Sequence, residues 1–569
     1  MNDIRRTILW VIFGISMVML WDQWQVYNGR KPTFFPGPAS TAPASAPSST
    51  ASAAGVPAPA AAPVGSALPG TATAPVAVAS AAPHERFEVS TDVLKLTFDN
   101  EGGSLVRSEF LRHADKGGNV VLLDDSKDRI YLAQTGVIGA GANGGFPTHK
   151  TIMSVSGARS LKDGEDQLVL TFTSPEVGGI KLVKTYTLRR GAYDIAVKHE
   201  LTNTSGAPLT PQLYLQLVRD GNKPEGESSF YSTFTGPAVY TAAKKYQKVE
   251  FKDIKSKKAD YEHQANEGYI AMVQHYFVSA WLLPEGLPRT IALDGVDIGS
   301  GVADCCYRAA TITPIEALAP GASKSIEAKL FVGPQQEKML ETLSPGLELV
   351  KDYGWLTIIA KPLYWLLDKL HGVIQNWGWA IVALVLLLKV AFYWLNEKGY
   401  ASMAKMKAIN PKIMEMRERL KDNPQQMQQE MMRIYREEKV NPMGGCFPIM
   451  IQIPVFIALY WVLLSTVEMR GAPWALWIHD LAAPDPYYVL PLVMTLTTLL
   501  QTALNPAPPD PMQAKMMWIM PLMFSVMFFF FPSGLVLYWI TNNVLSIAQM
   551  WVINTRMGVP PQFNLPKFK

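Results

Sequence analysis

The stretch WGWAIVALVLLLKVAFYWL, residues 377–395, decides the fold class of this 569-residue chain. A helix needs about 20 mostly apolar residues to cross the hydrocarbon core of a bilayer, and this stretch approaches that length with one charge, Lys389. Similar stretches follow, and a shorter apolar run, Ile8–Leu20, stands near the N-terminus. We therefore predict a polytopic α-helical membrane protein with six spans. The last five spans, which form a helical core, are 377–395, 447–466, 487–504, 514–531 and 534–553.

The N-terminal run has the charge pattern of a signal sequence. Arg5 and Arg6 precede it, but no small-x-small cleavage site follows in Trp21–Arg30. We therefore expect residues 1–26 to be an uncleaved signal-anchor helix with its N-terminus in the cytoplasm. Residues 27–85 are then a disordered linker, because Ala, Pro and Ser dominate them and leave little to bury.

Residues 86–345 alternate apolar and polar side chains. Leu94, Leu96 and Phe98 show this period of two, which is typical of half-buried strands. Turn residues separate many such segments. The pattern predicts a large all-β sandwich domain rather than a parallel α/β domain.

Residues 346–376 change to helical spacing. Ile359, Leu363, Leu366 and Leu370 fall on one face. This pattern predicts an amphipathic helix in the membrane interface. A helix packed on the β-domain is the alternative.

Basic residues fix the expected orientation. The 396–446 loop carries ten Lys and Arg residues, whereas the 467–486 loop carries only Arg470. Positive charge marks the cytoplasmic side of a membrane protein. The prediction therefore places 396–446 and the tail 554–569 in the cytoplasm, with the β-domain outside.

Lys389 is the first candidate functional residue. A lysine at the centre of a bilayer costs about 2.5–3.5 kcal/mol on insertion scales. Its side chain either snorkels to the cytoplasmic edge without a role or lines a hydrated cavity open to the cytoplasm. Neutral polar residues in the other spans, among them Gln452, Asn542 and Asn543, either line the same pocket or bond between helices.

Several chemistries are excluded by what the spans lack. They contain no Asp, Glu or His, so a proton relay and a Ser–His protease are both unsupported. No P-loop, HExxH or CxxC motif is present, and we predict no enzyme, no cofactor and no metal site. The net charge of +4 gives no reason to expect nucleic-acid binding. Cys305 and Cys306 are adjacent, and a disulfide and two free thiols both remain open.

The 396–446 loop carries a second candidate surface. Its apolar residues recur at three- and four-residue spacing on either side of a break at Asp422-Asn423-Pro424. We predict an antiparallel cytoplasmic helical hairpin. Its apolar residues either pack on one another or, being rich in methionine, also accept varied apolar partners. The residues concerned are Met406, Ile413, Met416, Met427 and Met431.

Four further blocks show what the chain resembles. NPMGGCFPIMIQIPVFIALYW (441–461), ALWIHDLAAPDPYYVLP (475–491), DPMQAKMMWIMP (510–521) and FPSGLVLYWITNN (531–543) are similar to the core of YidC-type membrane protein insertases. YASMAKMKAINPKIMEMRERL (400–420) resembles that family's cytoplasmic hairpin, and the large β-domain resembles its Gram-negative branch. The resemblance covers nearly the whole chain.

The resemblance implies an insertase and chaperone of the cell inner membrane. Its hydrophilic groove, open to the cytoplasm and lipid, receives the polar end of an incoming segment. The basic residue in the family's groove is usually Arg. Lys389 keeps the positive charge of that position, but it lacks the planar guanidinium group with its five N–H donors. Tyr538 and Trp539 are implied to contact the substrate, beside Gln452, Asn542 and Asn543.

The implied partners are nascent integral membrane proteins, the lipid bilayer, the secretion channel and the ribosome or targeting machinery. Two other classes remain open at this stage. One is a small-solute channel or transporter. The other is an envelope enzyme or glycan-binding protein that its spans merely anchor.

Overall fold

The computed structural model describes residues 55–57, 83–115, 118–139, 145–224, 233–420, 423–438, 447–505, 511–556, 558 and 563. The expected signal-anchor, nearly all of the linker, the hairpin's break at 421–422 and most of the tail lie outside these residues.

The first part of the described chain is built of antiparallel strands, because period-two segments end at turn residues. The strands are β1 (Arg86–Ser90), β2 (Leu94–Asp99), β3 (Ser104–Asp115), β4 (Gly118–Val121), β5 (Asp124–Asp125), β6 (Ile130–Ile138), β7 (Ser154–Gly157), β8 (Gln167–Thr173), β9 (Ile180–Arg189), β10 (Asp194–Asn203), β11 (Gln212–Arg219), β12 (Gly236–Thr241), β13 (Lys245–Lys248), β14 (Gln264–Ala265), β15 (Tyr269–Gln274), β16 (Phe277–Leu282), β17 (Arg289–Gly295), β18 (Tyr307–Pro314) and β19 (Ser323–Pro334).

Two sheets form a sandwich. Sheet one has the order β1-β2-β3-β6-β11-β18-β17-β14, with β4 beside β3 and β5 beside β6. Sheet two has the order β13-β12-β15-β16-β19-β10-β9-β8-β7. Inward residues of both sheets, such as Leu215 and Leu330, make one apolar core. The predicted β-sandwich is confirmed.

Two side-chain links stand out in this domain. The indole N–H of the buried Trp281 in β16 donates to the Gln216 carbonyl at 3.1 Å and so joins the two sheets. Cys305 and Cys306 are joined by a disulfide in the structure.

The rest of the described chain is helical, and two short helices occur within the β-domain and at its end. The helices are α1 (Phe251–Lys255), α2 (Glu337–Leu343), α3 (Thr357–Ile374), α4 (Trp377–Ala391), α5 (Tyr393–Arg419), α6 (Pro424–Glu437), α7 (Phe447–Ser465), α8 (Val489–Leu504), α9 (Pro511–Met527) and α10 (Ser533–Arg556).

The helices differ in length from the predicted spans. Among the described residues, α10 is long and apolar enough to cross a membrane alone. Helix α4 passes the same test only together with Tyr393–Ser402, which continues at a 65° bend. The other apolar helices are shorter, at Gln452–Ser465, Val489–Leu504 and Ala514–Phe530. The predicted span 377–395 therefore contains a bend at Phe392, and its limits stay a prediction.

Helix α3 packs its apolar face on the helical part rather than on the β-sandwich. Leu363 and Leu367 are buried with residues of α4 and α7 in one cluster. Asp368 makes an ion pair of 2.7 Å with Lys338 of α2, which follows the last strand. Ile358 and Val373 on the other face are more than four-fifths exposed.

Candidate functional site: a polar cavity among four helices

Four helices line a cavity of about 40 Å³. Helix α4 contributes Val385, Leu388 and Lys389, and the bend brings the start of α5 to the same wall. Helices α7 and α10 complete the lining. The other lining residues are Phe392, Leu395, Asn396, Gln452, Val455, Tyr538 and Asn542.

Lys389 is buried in this wall, with 7% of its surface exposed. Its ammonium group donates to the Ser546 hydroxyl of α10 at 2.7 Å. Its backbone carbonyl accepts from the Gln549 amide at 3.1 Å. Within the described part of the chain, no carboxylate lies at ion-pair distance from it. The charge therefore has a neutral partner, which leaves its field available to an anion that enters the cavity.

Neutral hydrogen bonds join the remaining polar lining. The Gln452 amide donates to the Asn542 side-chain oxygen at 2.9 Å, which connects α7 to α10. Asn396, also buried, donates to Gln549 at 3.2 Å. Amides keep spare donors and acceptors after one such bond. The cavity wall therefore offers polar groups to an occupant as well as to itself.

Neighbouring residues of α10 face different directions. Tyr538 lies at the cavity, and its ring stacks on Phe456 at 5.8 Å. The Trp539 ring packs edge-on against Phe456 at 4.7 Å and against Phe528 at 4.8 Å. Asn543 donates to the Thr498 hydroxyl of α8 at 2.9 Å. Of the six candidate groove residues, the structure thus brings Lys389, Gln452, Tyr538 and Asn542 to one cavity, whereas Trp539 and Asn543 do not line it.

Asn396 and Ser546 are the polar site residues that sequence reasoning missed. Tyr538, Asn542, Ser546 and Gln549 are spaced by four, four and three residues, so they share one face of α10. This spacing could have identified Ser546 from the sequence. The pattern was not recognised because other polar residues of α10, Thr541 and Asn543, interrupt it.

The candidate hairpin residues also come together. Ile409, Ile413 and Met416 of α5 are buried in one cluster, and Met406, Met427 and Met431 pack against it. Met427 and Met431 of α6 lie at this seam rather than on an open surface, whereas Met432 of the same helix is 47% exposed.

A β-sandwich followed by apolar helices, with a buried cation in a polar cavity, defines a membrane protein whose helical part holds a polar compartment. The comparisons with known proteins specify it further. Residues 86–366 match the family model of the YidC periplasmic domain, and residues 369–559 match that of the 60Kd inner membrane protein.

Relatives match over nearly the full length. The chain is 52% identical over 560 residues to the membrane protein insertase YidC of Cupriavidus taiwanensis, and 53% identical over 559 residues to that of Ralstonia nicotianae; each match covers 98% of both chains. A crystal structure of an active YidC insertase with its first transmembrane domain resolved aligns at 19% identity and a TM-score of 0.36, over 82% of this chain and 94% of that one.

The chain belongs to the YidC family of inner-membrane protein insertases. It is an insertase and not an enzyme, and its β-sandwich is the family's periplasmic domain. None of the relatives named above favours a solute channel, a transporter or an anchored enzyme.

Proposed function

We propose that the cavity lined by Lys389 is the groove in which this insertase receives the polar flank of an incoming membrane segment. The observation that carries the proposal is a buried ammonium group whose only side-chain hydrogen bond, among the described residues, goes to the neutral Ser546. An acidic flank gains a point-charge attraction there, and a polar compartment shortens the apolar barrier that the flank must cross. Asn542, Gln452 and Tyr538 hydrate or contact the flank.

The apolar part of the substrate leaves the groove sideways into lipid. Helix α9 supports this step, because Ile519, Met523 and Val526 are each more than half exposed. Such a surface is stable only against other apolar groups. Burial of the substrate's apolar segment beside α7 and α9 then draws the flank across without nucleotide hydrolysis.

The proposal assigns six spans, with both termini and 396–446 in the cytoplasm. The signal-anchor 1–26, linker 27–85, domain 86–345, interfacial segment 346–376 and tail 554–569 keep their predicted limits. The partners are nascent membrane proteins, the secretion channel and the ribosome or targeting machinery, in addition to lipid.

A substrate series that differs only in flank charge tests the groove. This protein is depleted in cells and replaced by Lys389→Arg, Lys389→Ala or Lys389→Glu, and insertion is followed by protease protection. We expect Lys389→Arg to be tolerated, Lys389→Ala to weaken insertion of acidic flanks more than neutral ones, and Lys389→Glu to be worst for acidic flanks. The matched control is Lys405→Ala, which removes an exposed charge from α5.

Two results would contradict the charge step. If Lys389→Ala and Lys389→Glu insert the whole series as well as wild type, Lys389 merely snorkels. If all flanks fail equally, Lys389 has a structural or hydrating role, and attraction is the wrong mechanism.

Cysteine labelling tests the topology separately. Single cysteines replace Lys421, which lies outside the described residues, and Arg470. We expect the first to react only from the cytoplasm and the second only from the periplasm, as the distribution of basic residues requires. Reaction of both from one side would rule out the six-span arrangement.

A further inference from the structure

The outward face of sheet one is covered at its centre. The outer face of a sandwich is ordinarily solvated and polar, so buried and exposed residues alternate along its strands. Strand β6 is instead buried at every position, and β11 and β18 are buried at all but one. Something therefore lies over the outward residues of these three strands.

Part of the cover is a piece of the linker, Gly55–Pro57. Gly55 and Pro57 are buried, and Val56 packs against an apolar cluster of Ile138, Tyr214 and Ile312. The Gly55 carbonyl accepts two hydrogen bonds, from the Gln216 amide at 3.2 Å and from the Arg308 guanidinium at 3.1 Å. The linker is thus held by both polar and apolar contacts.

The two donors are fixed by other partners before the linker reaches them. Arg308 forms a two-pronged ion pair with Asp294 at 2.5 and 2.8 Å and is 5% exposed. Gln216 is fully buried and donates to Gln134 at 2.8 Å. Donors that are positioned in advance lose little conformational freedom on binding, so they favour a ligand that places a carbonyl between them.

The groove selects glycine at its centre. Gly55 has φ +86°, a conformation that side chains disfavour. A Cβ there would lie 3.4 Å from His149 Nε2 and 3.5 Å from the Ile298 side chain, so a larger branched side chain meets both walls. Elsewhere in the linker, Gly65 is followed by Ser66 and Gly70 by Thr71-Ala72, so neither reproduces the order of glycine, β-branched residue and proline.

We propose that the outward face of β6, β11 and β18 is a peptide-docking groove and that its occupant is the chain's own segment Gly55–Pro57. The docked segment clamps the linker to the periplasmic domain. The first point held by the domain is then Gly55 rather than the start of β1 at Arg86. Roughly half of the chain between the apolar run ending at Leu20 and β1 remains as the tether, so the domain has a shorter reach. This proposal does not depend on the groove near Lys389.

Reactivity of a cysteine at position 56 tests the clamp in the full-length protein. Val56→Cys is treated with a maleimide in membrane vesicles and after purification in detergent, and modification at that position is measured by mass spectrometry, with the native cysteines left in place. Glu176→Cys, on the exposed surface of the same domain, gives the rate for an open site. We expect Val56→Cys to react at least about tenfold more slowly than Glu176→Cys, because a docked segment reacts only while it is locally open.

A matched pair of linker substitutions identifies the groove as the cause of protection. Gly55→Val added to Val56→Cys should bring the rate to within about twofold of the open site, because valine strains the backbone at positive φ. The same change at Gly65 should leave the protection intact. Equal rates for Val56→Cys and Glu176→Cys would overturn the proposal. So would equal acceleration by Gly55→Val and Gly65→Val, or protection that disappears on purification, which would assign the cover to another protein.

Discussion

Two lysines of this protein are buried without a carboxylate partner among the described residues, and they differ in what surrounds them. Lys389 lines a cavity and bonds to one hydroxyl. Lys184 of β9 lies in the sandwich core, where its ammonium group donates to the carbonyls of Gly102 and Thr135 at 2.6 and 2.8 Å. The first faces a cavity, whereas the second is enclosed by fixed carbonyls and acts structurally.

Lys184 gives a pH prediction. Burial lowers its pKa from 10.5 to about 7 in the folded domain, whereas the unfolded chain keeps the ordinary value. Between pH 7 and 10 the unfolded state therefore binds the extra proton, so the free energy of unfolding should rise with pH by about 1 kcal/mol per unit from this group. Below pH 7 both states are protonated and the slope disappears.

Chemical unfolding of the purified protein, followed by the loss of protease-resistant β-domain in a brief protease pulse, measures this slope. Lys184→Met keeps the length of the side chain and should remove the contribution, so the wild-type slope minus the variant slope gives the effect of the lysine. Identical slopes in the two proteins would show that Lys184 titrates alike in both states.

At the scale of elements, the bend between α4 and α5 shapes the cavity. The bend at Phe392 does not contain a proline. Beyond the bend, the Asn396 side chain donates a hydrogen bond to Gln549 of α10. A straight continuation of α4 would direct the first turn of α5 away from that wall. The hairpin of α5 and α6 is instead held together by apolar side chains, because the two helices pack along an apolar seam.

Charge substitutions should distinguish the residues of the packed hairpin seam from those on the hairpin surface. Ile413 is 1% exposed, and Ile413→Asp places a carboxylate in the seam at a cost of about 3 kcal/mol or more. Met406→Asp should cost less, because Met406 is only partly buried. Lys412→Ala breaks an exposed ion pair with Glu438, which should leave the hairpin nearly unchanged.

Protease sensitivity of the hairpin and insertion of a reporter substrate measure the three variants. We expect the order Ile413→Asp, Met406→Asp, Lys412→Ala from most to least impaired. Equal defects in all three would argue against a packed seam.

At the scale of the whole molecule, a buried ion pair connects the domain's end to the helices. Lys351 follows the short 3-10 helix Leu347–Val350, and its ammonium group lies 3.6 Å from Glu468, just after α7. It also lies 3.7 Å from the ring centre of Tyr364, whose hydroxyl donates to Glu468 at 3.0 Å. Burial lowers the pKa of Lys351, because the charged form has lost its water.

Removing one charge of this pair should weaken the junction. Glu468→Gln leaves a buried ammonium group without its nearest carboxylate. Breaking a fully buried pair costs about 3–5 kcal/mol, and the partial exposure of Glu468 makes the expected loss smaller. The loss should shrink as pH rises, because Lys351 then releases its proton and the uncompensated charge disappears. Thermal unfolding in detergent at pH 6 and pH 9 measures both effects.

The matched control is Glu316→Gln, which removes the partner of Lys324 in an exposed pair and should change stability by about 0–1 kcal/mol. Replacing both Lys351 and Glu468 with Met and Leu should destabilise less than Glu468→Gln alone, since neither charge is stranded. Equal effects of the two Glu→Gln changes would show that the buried pair does not join the two parts.

The sequence by itself determined much of the local structure and indicated one candidate site. Alternation in segments such as 94–98 specified strands, apolar runs specified helices, and one lysine in a run of apolar residues indicated either a snorkelling side chain or a cavity. These signals are local, because side chains two or three to four residues apart share a face whatever the rest of the chain does. The inward register of Lys184, between Leu182 and Tyr186, was readable in the same way.

Tertiary structure alone decided which polar groups meet. Asn542 and Asn543 are neighbours in sequence, yet one faces the cavity and the other faces α8, because the packing of α10 fixes its rotation. The partnership of Lys389 with Ser546, the bend at Phe392 and the docking of Gly55 on Gln216 and Arg308 join residues far apart in the chain or depend on elements that pack there. Such contacts form only where the whole fold places both partners, so no local pattern encodes them.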